Sequence, residues 1–266
     1  MQTQQALEVA KTLARMAAER ILLYYGDTID NETKTGGSPV TIADKEADAM
    51  ILRGLRQAYP NHSYLTEESE DDLSRLDAQH VWIVDPLDGT KEFLKNNGEF
   101  TVNIALVKDG EPILGAIAIP AKNMLYWGAK GHGAFQRKGR EEIQEIQVSD
   151  ETDPSEMTLV RSASHIDPKD ESFVEKAGIG KDMPAGSSAK GCRIAEGQAH
   201  IYPRFGRQME WDMCAMAAII EAAGGTITDL HGKPLEWNKK NPEVLGFLAS
   251  NDTIHDDLVK VAEALL

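Results

Sequence analysis

Apolar residues recur at helical spacing near the start of the chain. Leu7, Ala10, Ala14, Ala17, Ile21 and Tyr24 predict one amphipathic helix over residues 3–25, with Gly26 as its stop. The polar run Thr33-Lys34-Thr35-Gly36-Gly37-Ser38-Pro39 reads by default as a surface loop, although its Gly-Gly pair also suits a mobile lid. Thr41 is an N-cap for a second helix, whose apolar face is Ile51, Leu52, Leu55 and Ala58 and which Pro60 closes. The period then shortens. His62–Thr66 and Val81–Val84 predict strands, and the second should stop at Asp85 or Pro86 because proline has no N–H for a ladder. Residues 100–107, 112–119 and 123–128 predict an antiparallel meander, with turns at Asp109-Gly110 and Asn123. Gly131, Gly133 and Gly139 punctuate a further hairpin around Ala134-Phe135.

A polar stretch, Val148 to Ser155, precedes a different rhythm. Strands at 157–161, 199–202, 226–229 and 244–249 are interleaved with helices at 168–177, 186–195, 211–223 and 253–265. The expectation is a chain in two parts, an α+β part over 1–148 and an α/β part over 149–266.

Composition narrows the function. The chain has 266 residues and a net charge of −15, which argues against binding polymeric nucleic acid. An anionic substrate would need metal ions or local basic side chains to reverse that field. The two cysteines, Cys192 and Cys214, lie in helix-like segments without metal-type spacing, so buried thiols and a reducing compartment are expected. Charged residues interrupt the N-terminal helix as a signal core, and no segment approaches a membrane span.

Chemistry gathers where strands end. Asp85-Pro86-Leu87-Asp88-Gly89-Thr90 sets two carboxylates and a hydroxyl on a turn, a donor set suited to a hard cation such as Mg2+. Read alone, it suits a hairpin turn equally well. A second strand ends at Glu67-Glu68, about twenty residues earlier, and ligands collect at strand ends in α/β sheets. Asp44 and Asp212 lie in the first turns of helices, where a carboxylate also serves as a plain cap. Gly186-Ser187-Ser188 at a helix start would present N–H groups to an anion or serve as a simple loop and cap, and Lys190, Arg193, Arg204 and Arg207 read either as a local basic cluster or as scattered surface charge.

Glu67-Glu68-Ser69, Asp85-Pro86-Leu87-Asp88-Gly89-Thr90 and Trp211-Asp212 with Gly224-Gly225, in that order, resemble the lithium-sensitive, Mg2+-dependent phosphatases of the inositol monophosphatase superfamily. Lys91-Glu92-Phe93, Ser162-Ala163-Ser164-His165, Gly186-Ser187-Ser188-Ala189-Lys190 and Tyr202-Pro203-Arg204 are similar to its CysQ-type branch, the 3′(2′),5′-bisphosphate nucleotidases, though an Arg is common there at the position of Ala163. The resemblance implies a five-layered αβαβα sandwich of the inositol monophosphatase and fructose-1,6-bisphosphatase type, with the site between its two parts. It implies two Mg2+ ions held by Glu67, Asp85, the Leu87 carbonyl, Asp88 and Asp212, and allows a third at Asp44. Asp44 and Thr90 would orient and deprotonate the attacking water, and Gly89, Thr90, His165, Gly186 and Lys190 would contact the substrate. The expected reaction is hydrolysis of adenosine 3′,5′-bisphosphate to AMP and phosphate, clearing a by-product of sulfate assimilation. The expected setting is the cytoplasm, with weak peripheral attachment to the inner membrane and a homodimer both allowed. An inositol-1-monophosphatase or fructose-1,6-bisphosphatase, and a catalytically silent binder of metal or nucleotide, are the alternatives.

Overall fold

The computed structural model describes residues 2–26, 31–33, 39–162 and 167–266. The chain opens with α1 (Gln2–Leu22), the short ribbon β1 (Asn31–Thr33) and β2 (Pro39–Thr41), and α2 (Ile42–Ala58). The ribbon brackets the segment read as a loop, whose residues 34–38 lie outside the described ones. A seven-stranded sheet follows: β3 (Ser63–Thr66), β4 (His80–Asp88), then after α3 (Thr90–Leu94) β5 (Thr101–Lys108), β6 (Glu111–Ile119), β7 (Met124–Ala129), β8 (Gly133–Lys138) and β9 (Gln144–Ile146). Its strands lie in chain order, antiparallel except for the parallel pair β3–β4. The predicted turn residues Asp109, Gly110 and Asn123 all have positive φ.

The second half contains β10 (Thr158–Arg161), α4 (Pro168–Ala177), β11 (Lys181–Pro184), α5 (Ala189–Ala195), β12 (Ile201–Arg204), β13 (Gln208–Met209), α6 (Glu210–Ala222), β14 (Thr226–Thr228), β15 (Glu243–Val244), β16 (Phe247–Ser250) and α7 (His255–Glu263). A five-stranded sheet runs β11-β10-β12-β16-β14, parallel around β10 and antiparallel around β16. The sequence pattern missed β11, whose residues Lys181-Asp182-Met183-Pro184 are largely exposed and carry no apolar alternation.

Five layers result. α1 and α2 cover one face of the large sheet, and α6 and α5 cover the other. The small sheet packs on α5 and α6, and α7 with α4 closes its far side. Alternation along each strand divides the large sheet between two cores. Trp82, Val84, Val102, Ile104 and Leu106 face the core shared with α1 and α2, whereas Val81, Ile83, Ala105 and Val107 face the core shared with α5 and α6. Covering on both faces is why these strands read as unbroken apolar runs. It also explains α6, which is apolar around most of its circumference because it lies between two sheets. Gly115 in β6 admits α6 closely: a Cβ there would stand 2.3 Å from the Ala215 carbonyl oxygen.

Candidate active site

Parallel pairing brings the two acid-ended strands together. β3 and β4 run in register Thr66↔Val84, so Glu67 emerges beside Asp85, with the Glu67 N–H donating to the Val84 carbonyl at 3.3 Å. β4 does not stop at Asp85 or Pro86 as expected but continues to Asp88. Against β5, Asp85 pairs with Asn103 and Asp88 with Thr101, so β4 carries one extra residue. Pro86 thus sits in a bulge, where its missing N–H breaks no ladder bond. The bulge turns Asp85 and Asp88 toward a common point. Gly89 follows at φ +90°, where a Cβ would stand 2.3 Å from Ser187 Oγ. Only glycine combines that backbone angle with that approach.

Asp212 reaches the same point from the third residue of α6. Its Oδ2 accepts from the Met209 N–H at 2.9 Å, so the plain cap and the site carboxylate are one residue. One oxygen from each of Asp85, Asp88 and Asp212 lies within 4.8 Å of the others. Asp85 is 1% exposed. Its Oδ1 accepts from the Leu87 N–H at 3.0 Å, while Oδ2 is buried without a hydrogen-bond partner among the described residues. Burial, then the charges of Glu67, Asp88 and Asp212, holds its carboxyl well above the usual range. The Asp212 carboxyl is pushed up to about 8 by burial first, then by Asp88 and Glu67. An all-oxygen donor set, mutual repulsion and an unsatisfied buried oxygen fit a bound divalent cation. Glu67 stands beside this three-carboxylate cluster, close enough to raise two of its members.

Asp44 and Thr90, 46 residues apart, meet: Thr90 Oγ1 donates to Asp44 Oδ1 at 3.1 Å and lies 3.3 Å from the Leu87 carbonyl. The other Asp44 oxygen accepts from the Thr41 N–H at 2.7 Å and the Thr41 hydroxyl at 2.6 Å, closing a capping box. Asp44 is therefore both helix cap and partner of Thr90. Burial raises its carboxyl pKa, and the Thr41 and Thr90 bonds oppose the rise.

A cavity of about 330 Å³ opens beside the carboxylates, lined by Asp88, Asp212, Gly186, Lys190, Tyr202 and Arg204 among others. The predicted basic cluster divides. Lys190 and Arg204 line this cavity, whereas Arg193 pairs with Glu196 and the exposed Arg207 with Glu243. Lys190 is 7% exposed and donates to the Ser187 carbonyl at 2.7 Å; burial lowers its pKa to about 8. Arg204 Nε is buried without a partner among the described residues. The loop ahead of α5 differs from expectation. Two of its amides are already engaged: the Gly186 N–H donates to Glu99 at 2.8 Å and the Ser188 N–H to Asp88 at 2.7 Å. Of the branch-like run at 91–93, Lys91 is exposed, Glu92 lines the cavity and Phe93 is buried edge-on to Phe100. His165 lies outside the described residues.

The sequence reading missed Glu99, Asn103 and the contacts of Ser188. Asn103 donates to the Ser188 hydroxyl at 2.8 Å and lies 3.4 Å from Asp88. A buried Asn in an otherwise apolar strand was the signal available for it.

The inositol monophosphatase family matches residues 2–265 of the chain. The chain is 42% identical over 231 residues to the 3′(2′),5′-bisphosphate nucleotidase CysQ of Escherichia coli K12, covering 86% of this chain and 92% of that one. The structure of CysQ from Bacteroides thetaiotaomicron, a bacterial member of the inositol monophosphatase family, superposes with a TM-score of 0.80 at 36% identity, over 93% of this chain and 97% of that one. An inositol monophosphatase from Thermotoga maritima superposes with a TM-score of 0.84 at 27% identity, over 98% of both chains.

Proposed function

The chain belongs to the inositol monophosphatase family, and from that premise we propose that it is a metal-dependent 3′(2′),5′-bisphosphate nucleotidase, hydrolysing adenosine 3′,5′-bisphosphate to AMP and phosphate. That reaction would recycle a by-product of sulfate assimilation. The observation that carries the reading is the buried Oδ2 of Asp85, without a hydrogen-bond partner among the described residues, set among the carboxylates of Asp88 and Asp212 on the edge of a cavity that also holds two cationic side chains.

Glu67, Asp85, the Leu87 carbonyl, Asp88 and Asp212 would hold two Mg2+ ions, with Asp44 available to a third. Bound there, the ions supply the positive charge that a phosphate dianion and a departing alkoxide require. The remaining work falls to the protein. Thr90 donates its proton to Asp44, which leaves the hydroxyl oxygen free to accept from the attacking water. Asp44 is locked by Thr41 and takes the water's proton in a fixed orientation. Lys190 and Arg204 hold the phosphate that is not cleaved, and a sugar monophosphate offers them nothing equivalent. Gly89 and Gly186, which line the cavity, would complete the substrate contacts, and the family resemblance adds His165 to them.

The test is phosphate release from adenosine 3′,5′-bisphosphate and inositol 1-phosphate side by side, with Mg2+ and with or without millimolar Li+. The expected result is strong preference for the nucleotide and inhibition by Li+. Preference for inositol phosphate would overturn the nucleotide assignment and leave a metal-dependent phosphatase.

A further inference from the structure

Arg75 is 1% exposed, among the largest fully buried side chains, and lines no part of the cavity. It lies in the turn between the acidic loop after Glu67 and the start of β4. Its guanidinium donates to Asp71 Oδ2 from Nε at 3.1 Å and Nη2 at 2.8 Å. It also donates from Nη1 to Asn238 Oδ1 at 2.6 Å and from Nη2 to the Lys239 carbonyl at 2.9 Å. Asn238 returns a bond from Nδ2 to the Arg75 carbonyl at 3.0 Å. The same two-residue turn is held from its other side. The Asn238 and Lys239 N–H groups donate to the two Glu210 oxygens at 2.6 and 3.0 Å. Glu210 is fully buried and is the first residue of α6, two positions before Asp212.

The turn at 238–239 is therefore a pin between two buried charges of opposite sign. One belongs to the segment that follows Glu67 and leads into Asp85; the other belongs to the helix that presents Asp212. We propose that Arg75, through this pin and Glu210, is a positioning residue that fixes the separation between the Glu67–Asp85 edge of the large sheet and Asp212, and so sets the affinity for divalent cation. The inference rests on the metal-dependent reading above. Arginine is required rather than lysine, because four bonds in one plane reach three different partners. Groups outside the ligand set that orient it change metal affinity by about 10- to 100-fold when altered.

The test measures Mn2+ binding to the substrate-free protein by electron paramagnetic resonance and, separately, the Mg2+ dependence of phosphate release, for Arg75→Lys, Glu210→Gln and the double variant. Each single change is expected to weaken Mn2+ binding by about 10-fold or more. The KM for nucleotide at saturating Mg2+ should move far less. The double variant should lose no more than the larger single change, because both act through one turn. A lowered thermal midpoint with unchanged Mn2+ affinity in both single variants overturns the positioning role and leaves the metal reading standing. A wild-type protein that binds no Mn2+ overturns both. If Arg75→Lys does not fold, Glu210→Gln decides alone by the same criterion.

Discussion

Ser188 holds Asp88 across 100 residues of sequence: its backbone N–H donates to Asp88 Oδ2 at 2.7 Å, and its hydroxyl lies 3.0 Å from the same oxygen. That hydroxyl also stands 2.6 Å from the Asp212 carbonyl and accepts from Asn103 at 2.8 Å. One buried serine thus sits against two of the three clustered carboxylate residues. Ser188→Ala keeps the backbone bond but removes the closer of the two Asn103 acceptors and the hydroxyl's contact with the Asp212 carbonyl. The Mg2+ concentration for half-maximal phosphate release should rise about 10-fold. A Mg2+ titration of activity, with circular dichroism as a control for folding, reads this directly.

Asp85→Asn should abolish phosphate release and yet stabilise the metal-free protein at neutral pH. The carboxyl has a native pKa well above its unfolded value. Native and unfolded chains are equivalent below both values; as pH rises the unfolded chain ionises first, and the native state loses stability until its own group ionises. The gain from the substitution is therefore present at neutral pH and vanishes below pH about 3. Adding Mg2+ should raise the wild-type thermal midpoint and leave that of Asp85→Asn nearly unmoved. Thermal scans with and without Mg2+ at two pH values check both statements.

Lys190 gives a pH limit on the alkaline side. Burial lowers its pKa to about 8, so the ammonium is present below that value and lost above it. kcat/KM for the bisphosphate should fall as pH rises through about 8, a profile that reports the free enzyme. Lys190→Arg stays charged and should flatten this limb. Initial rates from pH 6 to 10 are the measurement.

Gly89→Ala combines a positive φ of 90° with a Cβ 2.3 Å from Ser187 Oγ and 3.2 Å from the Glu99 carbonyl. It should destabilise the fold by at least about 1 kcal/mol from the backbone angle alone. Because the clash pushes the Ser187 loop away from Asp88, nucleotide turnover should fall as well. Urea unfolding and steady-state kinetics on the same preparation separate the two effects.

Much of the fold was legible because it is local. Helical spacing located α1 and α2, apolar runs located β4 to β7, and turn residues marked Asp109-Gly110 and Asn123. Errors came where a local rule met a distant partner. The proline rule ended β4 early because a bulge exists only relative to the opposing strand, β5. The free-amide reading fails at Gly186 and Ser188 because Glu99 and Asp88, distant in sequence, already accept from those two amides.

The sequence by itself determined which groups are available: the acids at the ends of two strands, the acids in the first turns of two helices, the threonine after Gly89 and the glycines that permit close approach. Tertiary structure decided which of them meet. Parallel pairing of β3 with β4 sets Glu67 beside Asp85. The packing of α6 between two sheets delivers Asp212, and Arg75 grips a turn 163 residues away. Periodicity reports a residue's face on its own element and carries nothing about the element opposite. The cluster depends on that second piece of information, because carboxylate oxygens within 4.8 Å of one another come from β4 and α6, which the sequence separates by more than a hundred residues.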